Sequence, residues 1–314
     1  MAGAGPMNDL AAHAQAYLAM RRALGYRLVD HDRLLNGLLA TVEARGESHL
    51  SVDAALDWAV AGGAVSRAQA ATRLSVARRF ATYLAAFDPA TQVPPARLLP
   101  GGTVRSTPYI FTGDQVRGLI AAARRLSPPL RAASMATFLG LLAATGLRPG
   151  EARRLDRDDV DLTAGLLVVR NSKAGKSRIV PLHPTTVAAL ARYTRRRDRL
   201  CPHPAEAAFL LWTDGQRLTT TAVTTTFRRL RVQVGITVPP GRRAPRPHDL
   251  RHTFAVDTIA GWHADGVDVQ RRLPVLSTYL GHLNPANTYW YCQAVPQLMG
   301  VVADRVEASR AVRP

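Results

Sequence analysis

Lysine occurs only twice in this chain of 314 residues, at Lys173 and Lys176 within "NSKAGKSR", while arginine occurs 39 times. Both side chains bind anions, but arginine keeps its proton at any accessible pH and lysine can give it up. A lysine pair in a chain that otherwise writes arginine is therefore a candidate for proton transfer, with an exposed turn as the plain alternative. Three other stretches carry side chains of the same chemical interest. "TGLRPGE" places Arg148 just after an apolar run. "RPHDLRHTFAV" places His248, Arg251 and His252 at the start of a helical pattern. "LSTYLGHLNPANTYWYCQ" places His282 ahead of Tyr289 and Tyr291.

Each stretch alone has an ordinary reading. Arg148 has an ion-pair partner in Glu151, His248 and Arg251 share one helical face, and a tyrosine on a helix is commonly half-buried. Together they form a set able to break a phosphodiester without a metal. Two guanidiniums can hold the nonbridging oxygens in bidentate fashion and stabilise the pentacoordinate transition state. Histidines can donate to the same oxygens or move protons. A tyrosine can attack phosphorus and hold it covalently. The leaving alkoxide needs a proton, which lysine supplies more readily than arginine.

The ordered set resembles the tyrosine recombinases, or integrases, enzymes of phages and mobile elements that cut and rejoin DNA. "ATGLRPGEARRL" resembles the first box of that family, "SKAGKSRIVPL" its hairpin lysine region, "HDLRHTFAV" its His-x-x-Arg box, and "LGH" with a tyrosine nine residues on its closing box. The resemblance is close over the second half of the chain. It implies that Arg148 and Arg251 clamp the scissile phosphate and that Lys173 is the general acid toward the 5′-oxygen, with Lys176 a backbone contact. It further implies that His248 is an acid/base partner and His282 a hydrogen-bond donor to phosphate. Tyr291, nine residues after His282, is the implied nucleophile; Tyr289 falls two residues short. The implied reaction passes through a 3′-phosphotyrosyl link and uses neither ATP nor metal, so no cofactor is expected. Family members act as tetramers on two duplexes, in some cases with companion recombinases, and residues 295–314 are candidates for docking onto a neighbour. Pro149 and "LNPANT" depart from the usual pattern and bear on loop shape. The "TYWY" ending is similar to short recombinases of bacterial transposable elements.

Three rival readings share parts of this set. His248 and His252 with Asp249 could serve a metal-dependent phosphohydrolase, but no third ligand stands at helpful spacing and Arg251 would repel the cation. A catalytically silent DNA-binding protein would keep the charge and lose the reaction. A type IB topoisomerase shares the chemistry and relaxes one duplex instead of joining two.

Charge distribution says what such a site would meet. The net charge is +18: residues 1–100 hold 10 arginines and 8 acids, and residues 101–314 hold 31 basic and 15 acidic residues. A field of that size implies a polyanionic partner. With aromatics at only 6%, a single-strand binder built on base stacking is disfavoured, and double-stranded DNA is the expected partner. "RYTRRRDR" (192–199) and "PGRRAPRP" (240–247) read as phosphate-contacting surfaces. No apolar run is long enough to span a bilayer, no signal peptide is evident, and two distant cysteines, Cys201 and Cys292, argue against a disulfide scaffold. A cytoplasmic, nucleoid-associated protein without membrane contact is expected.

The elements that must position the site follow from periodicity and capping signals. Helical spacing covers 9–28, with Leu10, Ala14, Tyr17, Leu18 and Leu24 toward a core, then a second helix ending at Gly46 and a short one in "DAALDWAV". A longer helix follows Ser66, with Leu74, Phe80, Leu84 and Phe87 facing inward. Its Arg67, Arg73, Arg78 and Arg79 read as either a solvated face or phosphate contacts. Residues 88–108 hold five prolines and two glycines, a domain boundary. We therefore divide the chain into a helical domain (1–92), a linker (93–108) and a catalytic domain (109–314). The latter opens with a Thr112/Gln115 capping box and a buried helix. "GLLVVR" and "SRIVPL" form a hairpin around the lysines, "FLLW" is a further short strand, and helices follow at about 185–199, 219–234, 248–263 and 271–281 before a C-terminal helical region. The expected fold is mainly α: a four-helix domain, SAM-like by the resemblance, and an α+β domain with a small antiparallel sheet.

Overall fold

The structure is a computed structural model that describes residues 6–26, 28, 30–63, 65–99, 107–172, 175–238 and 242–294. The chain divides into two compact units between Arg105 and Ser106.

Four helices build the first unit: α1 (Pro6–Ala23), α2 (His31–Ala44), α3 (Val52–Val60) and α4 (Arg67–Leu84). Ser66 starts α4 with a reciprocal capping box, its hydroxyl accepting from the Gln69 amide while the Gln69 side chain accepts from the Ser66 amide. Leu35, Leu38, Val42, Leu74, Phe80 and Leu84 fill the core between them. Two expected core residues lie outside it. Leu24 is 68% exposed because α1 stops at Ala23 and the chain turns before reaching it, and Phe87, past the end of α4, is 56% exposed. Two of the four α4 arginines are half-buried and hydrogen-bonded to backbone carbonyls of the same unit. Arg73 donates to the carbonyls of Trp58 and Ala61, and Arg78 to those of Pro94 and Pro95, tying α4 to neighbouring loops.

The second unit begins with α5 (Gly113–Arg124), capped by Thr112 and Gln115 as the sequence predicts, and α6 (Pro129–Thr145). Helix α6 is the central element, buried through Met135, Phe138, Leu139 and Leu142. A short helix, α7 (Pro149–Arg154), leads to a three-stranded antiparallel sheet: β1 (Val160–Asp161), β2 (Leu166–Val169) and β3 (Arg178–Pro181) in the order β1-β2-β3. Strands β2 and β3 pair from Leu166 with Pro181 to Val169 with Arg178, so the hairpin expected around the lysines forms. "FLLW" does not make a strand. Only isolated bridges form there, Asp156 with Ala208 and Leu211 with Arg217, and Phe209, Leu210 and Leu211 are all buried.

Helices α8 (Pro184–Leu200), α9 (Thr220–Gln233), α10 (Asp249–Ala264), α11 (Val269–Leu280) and α12 (Ala286–Ala294) complete the unit. Along α8 the basic run is split: Arg192, Arg195, Arg196 and Arg199 are exposed, whereas Arg197 is buried and donates to the carbonyls of Ala208 and Phe209. A second core joins α10, α11 and α12 through Val256, Ile259, Leu273, Leu276 and Tyr291. Among the described residues no helix is long and apolar enough to cross a membrane.

Candidate active site

Glu151, on the first turn of α7, is the hub of the site. Pro149 occupies the first helical position, where its lack of an N–H costs nothing. This accounts for the proline that departs from the family pattern. The Glu151 carboxylate is buried and accepts five hydrogen bonds. The Arg148 amide donates at 3.0 Å, Arg148 Nη1 at 2.6 Å and Ser172 Oγ at 2.6 Å, while Arg178 Nη1 and Nη2 donate at 3.1 and 2.9 Å. Burial alone would raise the Glu151 pKa, but the hydrogen bonds from Arg178 and Ser172 outweigh it and hold the carboxyl far below the ordinary range. A charged carboxylate thus fixes two guanidiniums in place at neutral pH.

Three arginines then converge on one helix end. The last carbonyls of a helix lack intrahelical partners and carry the negative end of its dipole. At the C-terminus of α11, the carbonyl of Tyr279 accepts from Arg178 Nε at 2.9 Å, that of Leu280 from Arg251 Nη2 at 2.7 Å, and that of Gly281 from Arg148 Nη2 at 2.9 Å. Arg251, on the first turn of α10, is almost wholly buried and also donates through Nη1 to the carbonyl of Gly146 at 2.8 Å. Burial, and next the charge of Arg148, push its pKa down to about 10, so it stays cationic at neutral pH. Gly146 and Gly281 both take left-handed backbone conformations, φ +60° and +69°. A Cβ on Gly146 would stand 2.5 Å from Phe254, and one on Gly281 would stand 2.9 Å from Arg178 Nη1. Both glycines are therefore required by φ and by space.

The imidazoles and the tyrosine complete the site. His248 immediately precedes α10, and burial, followed by the charges of Arg251, Arg246 and Arg148, pushes its pKa down to about 4. Its ring meets that of His252 edge to face, with centroids 4.9 Å apart. His252 Nδ1 lies 2.8 Å from the Tyr291 hydroxyl, and His252 Nε2 lies 4.0 Å from Asp249 Oδ1. His282 Nδ1 lies 2.7 Å from the buried Thr288 hydroxyl, and its ring stacks toward Tyr291 at 6.4 Å. Helix α12 carries Tyr291 and starts where Asn284 of "LNPANT" accepts from the Ala286 amide, so that departure is a helix-start device. Tyr291 is 2% exposed and points into the site; Tyr289 is 38% exposed.

Of the six residues singled out from the sequence, Arg148, His248, Arg251, His282 and Tyr291 come together around α7, α10 and the α11–α12 junction. Lys173 lies outside the described residues, as do residues 295–314 and the first two residues of "PGRRAPRP". Lys176 is exposed on the hairpin loop, its carbonyl accepting from the Ser172 amide at 2.8 Å. Sequence reading passed over Arg178, Ser172 and the contact of His252 with Tyr291. Arg178 shares the β3 face of buried Val180, while Ile179 between them is exposed, and two adjacent apolar residues in "RIV" leave the sequence unable to say which face is inward. Among the described residues no group of three or more His, Cys, Asp or Glu side chains is placed to hold a metal ion.

One buried guanidinium, two half-buried ones, a set of imidazoles and a buried tyrosine on a mainly helical frame fit a class of enzyme that acts on phosphodiesters. Residues 110–297 match the Phage integrase family, and the chain belongs to that family. It is 40% identical over 299 residues to y4rB of Sinorhizobium fredii (strain NBRC 101917 / NGR234), named as an integrase/recombinase, covering 93% of this chain and 95% of that one. It is 32% identical over 313 residues to the tyrosine recombinase XerC of Mycobacterium sp. (strain JLS), covering 92% and 95%. The fold is shared with a Tn1549 transposon integrase solved in complex with transposon right end DNA, at 19% identity and a TM-score of 0.64, covering 94% and 99%. The protein is accordingly a tyrosine-type DNA recombinase, an enzyme of site-specific DNA recombination.

Proposed function

We propose that this recombinase cleaves and rejoins duplex DNA through a 3′-phosphotyrosyl intermediate and serves a bacterial mobile element. The observation that carries the reading is the burial of Tyr291 against His252 and His282, within the electrostatic reach of Arg251. In this reading Arg148 and Arg251 bind the nonbridging oxygens of the scissile phosphate, their guanidinium planes set in advance by Glu151 and the α11 carbonyls. Tyr291 attacks phosphorus and the 5′-oxygen leaves with a proton from Lys173. His282 donates to phosphate, and His248, held neutral at physiological pH, serves as an acid/base partner. A 5′-hydroxyl of a partner strand then reverses the attack, conserving bond energy without ATP or a cofactor. The substrate is double-stranded DNA, drawn by the +16 excess of residues 101–314. The active assembly is a tetramer on two duplexes, with room for companion recombinases, working on the nucleoid in the cytoplasm. The mobile-element role draws on the resemblance of the "TYWY" ending and on the word integrase in the name of y4rB, and goes beyond what that name says.

Covalent trapping on nicked duplexes, including DNA flanking the gene, tests this reading. The nick lets the short cleaved strand diffuse away, so a single turnover accumulates. Wild type and Tyr289→Phe should form an adduct and Tyr291→Phe should not; Lys173→Arg should bind DNA normally and cleave at least about 100-fold more slowly. Loss of the adduct in Tyr289→Phe alone would reassign the nucleophile. Salt-sensitive DNA binding with no adduct would favour a silent binder.

A further inference from the structure

We propose that His252 is the base that takes the proton of Tyr291, with Asp249 orienting it; the assignment rests on Tyr291 being the nucleophile. Nucleophile and base stand within hydrogen-bond distance, and a carboxylate lies at ion-pair range from the base's other nitrogen. The Tyr291 hydroxyl and His252 Nδ1 are 2.8 Å apart, and the two rings are 5.5 Å apart at a tilt of 58°. For Nδ1 to accept, the ring proton must sit on Nε2, and it is this nitrogen that faces Asp249 at 4.0 Å. Asp249 is itself held. Its buried carboxylate accepts from the Arg246 amide at 2.7 Å and approaches the Arg246 guanidinium at 3.8 Å. One turn of α10 thus carries both orienting group and base, and α12 brings the hydroxyl to them. His248, the other imidazole of this turn, meets the ring of His252 and not the hydroxyl.

The step balances without a co-reactant. The Tyr291 O–H bond breaks and its proton passes to His252 Nδ1. The freed electron pair forms the bond from Oη to phosphorus. The bond from phosphorus to the 5′-oxygen breaks, and that oxygen takes its proton from the general acid. On rejoining, the imidazolium returns its proton to the departing tyrosine oxygen. Among the described residues, the titratable and charged groups that face His252 are His248 and Asp249 on α10, Tyr291 on α12, and Arg243, Arg246 and Tyr109 around a small adjoining cavity. The two arginines disfavour a further positive charge here, and Asp249 favours it at the moment of transfer.

Single-turnover cleavage of nicked duplexes by wild type, His252→Ala and His252→Asn tests the assignment. Asparagine places an amide near the position of Nδ1 and keeps a hydrogen bond to the tyrosine, but takes no proton. Both variants should bind duplex as wild type does and cleave at least about 100-fold more slowly. The wild-type rate should fall as acid protonates an imidazole, and the variants should lose that limb and speed up with rising pH instead. A substrate with sulfur in place of the 5′-bridging oxygen needs no proton on its leaving group. It should restore Lys173→Arg and leave both His252 variants slow. Cleavage by His252→Asn within about threefold of wild type would reduce His252 to a positioning residue and overturn the proposal. Rescue of the His252 variants by sulfur would move them to the leaving-group side and also overturn it. A wild type that forms no adduct at Tyr291 removes the underlying reading together with this one, whereas a normal wild-type adduct with fast variants removes this one alone.

Discussion

At the scale of the residue, Glu151 governs the site although its own charge repels phosphate. Its two oxygens fix Arg148, Arg178 and Ser172 at once, and its burial makes the charge costly unless all of them are present. Glu151→Gln should therefore lower stability by roughly 3 kcal/mol, the low end for breaking a buried ion pair, since the amide oxygen keeps part of the donor set. Cleavage should fall more than DNA binding, because the exposed arginines of α8 are untouched. Urea denaturation and single-turnover cleavage measured on one preparation separate the two effects. The residues legible in the sequence were those whose side chains are proposed to perform the chemistry: Arg148, His248, Arg251, His282 and Tyr291. Their supports were harder to read. Glu151 was visible only as an ordinary partner for Arg148, and the adjacent apolar pair in "RIV" hides which face Arg178 shares. His252 sits beside Arg251 in sequence, yet nothing in the spacing says that its ring reaches across to α12.

Elements were read well where local rules dominate and less well where tertiary packing does. The Ser66 and Thr112 capping boxes and the hairpin around the lysines follow from short-range signals. The failure of "FLLW" to form a strand, and the outward position of Phe87, depend on what lies alongside, which no local pattern encodes. The α11 terminus is the extreme case. It contributes three backbone carbonyls, and a carbonyl has the same identity under any side chain. Only its glycine shows. The turn that ends α6 makes the matching test. Gly146→Ala forces a left-handed residue and a contact near 2.5 Å with Phe254. It should cost about 2–4 kcal/mol, a fall in Tm of roughly 5–10 °C by calorimetry. Because the Gly146 carbonyl also anchors Arg251, cleavage should decline at temperatures where the variant remains folded.

Over the whole molecule, charge and fold divide the labour unequally. Residues 1–100 are nearly balanced and residues 101–314 carry most of the excess. Some of those cations are committed internally, Arg197 and Arg217 among them, through backbone carbonyls and carboxylates. Exposed Arg192, Arg195, Arg196 and Arg199 remain on the surface of α8. If six or more phosphates are contacted, duplex affinity should drop at least about 10³-fold between 50 and 200 mM salt, read by fluorescence anisotropy. A flat response would remove the electrostatic basis of DNA binding while leaving the fold assignment intact.

The α11 terminus also sets a common reference point. Arg178, Arg251 and Arg148 are hung from three successive residues, 279 to 281, and the chain that leaves the last of them runs within a few residues into the helix bearing Tyr291. The parts that would hold phosphorus and the part that would strike it are thus gauged from one short ruler. When the protein flexes, a displacement of that ruler carries clamp and nucleophile along the same path, and the distance between them is the quantity least disturbed.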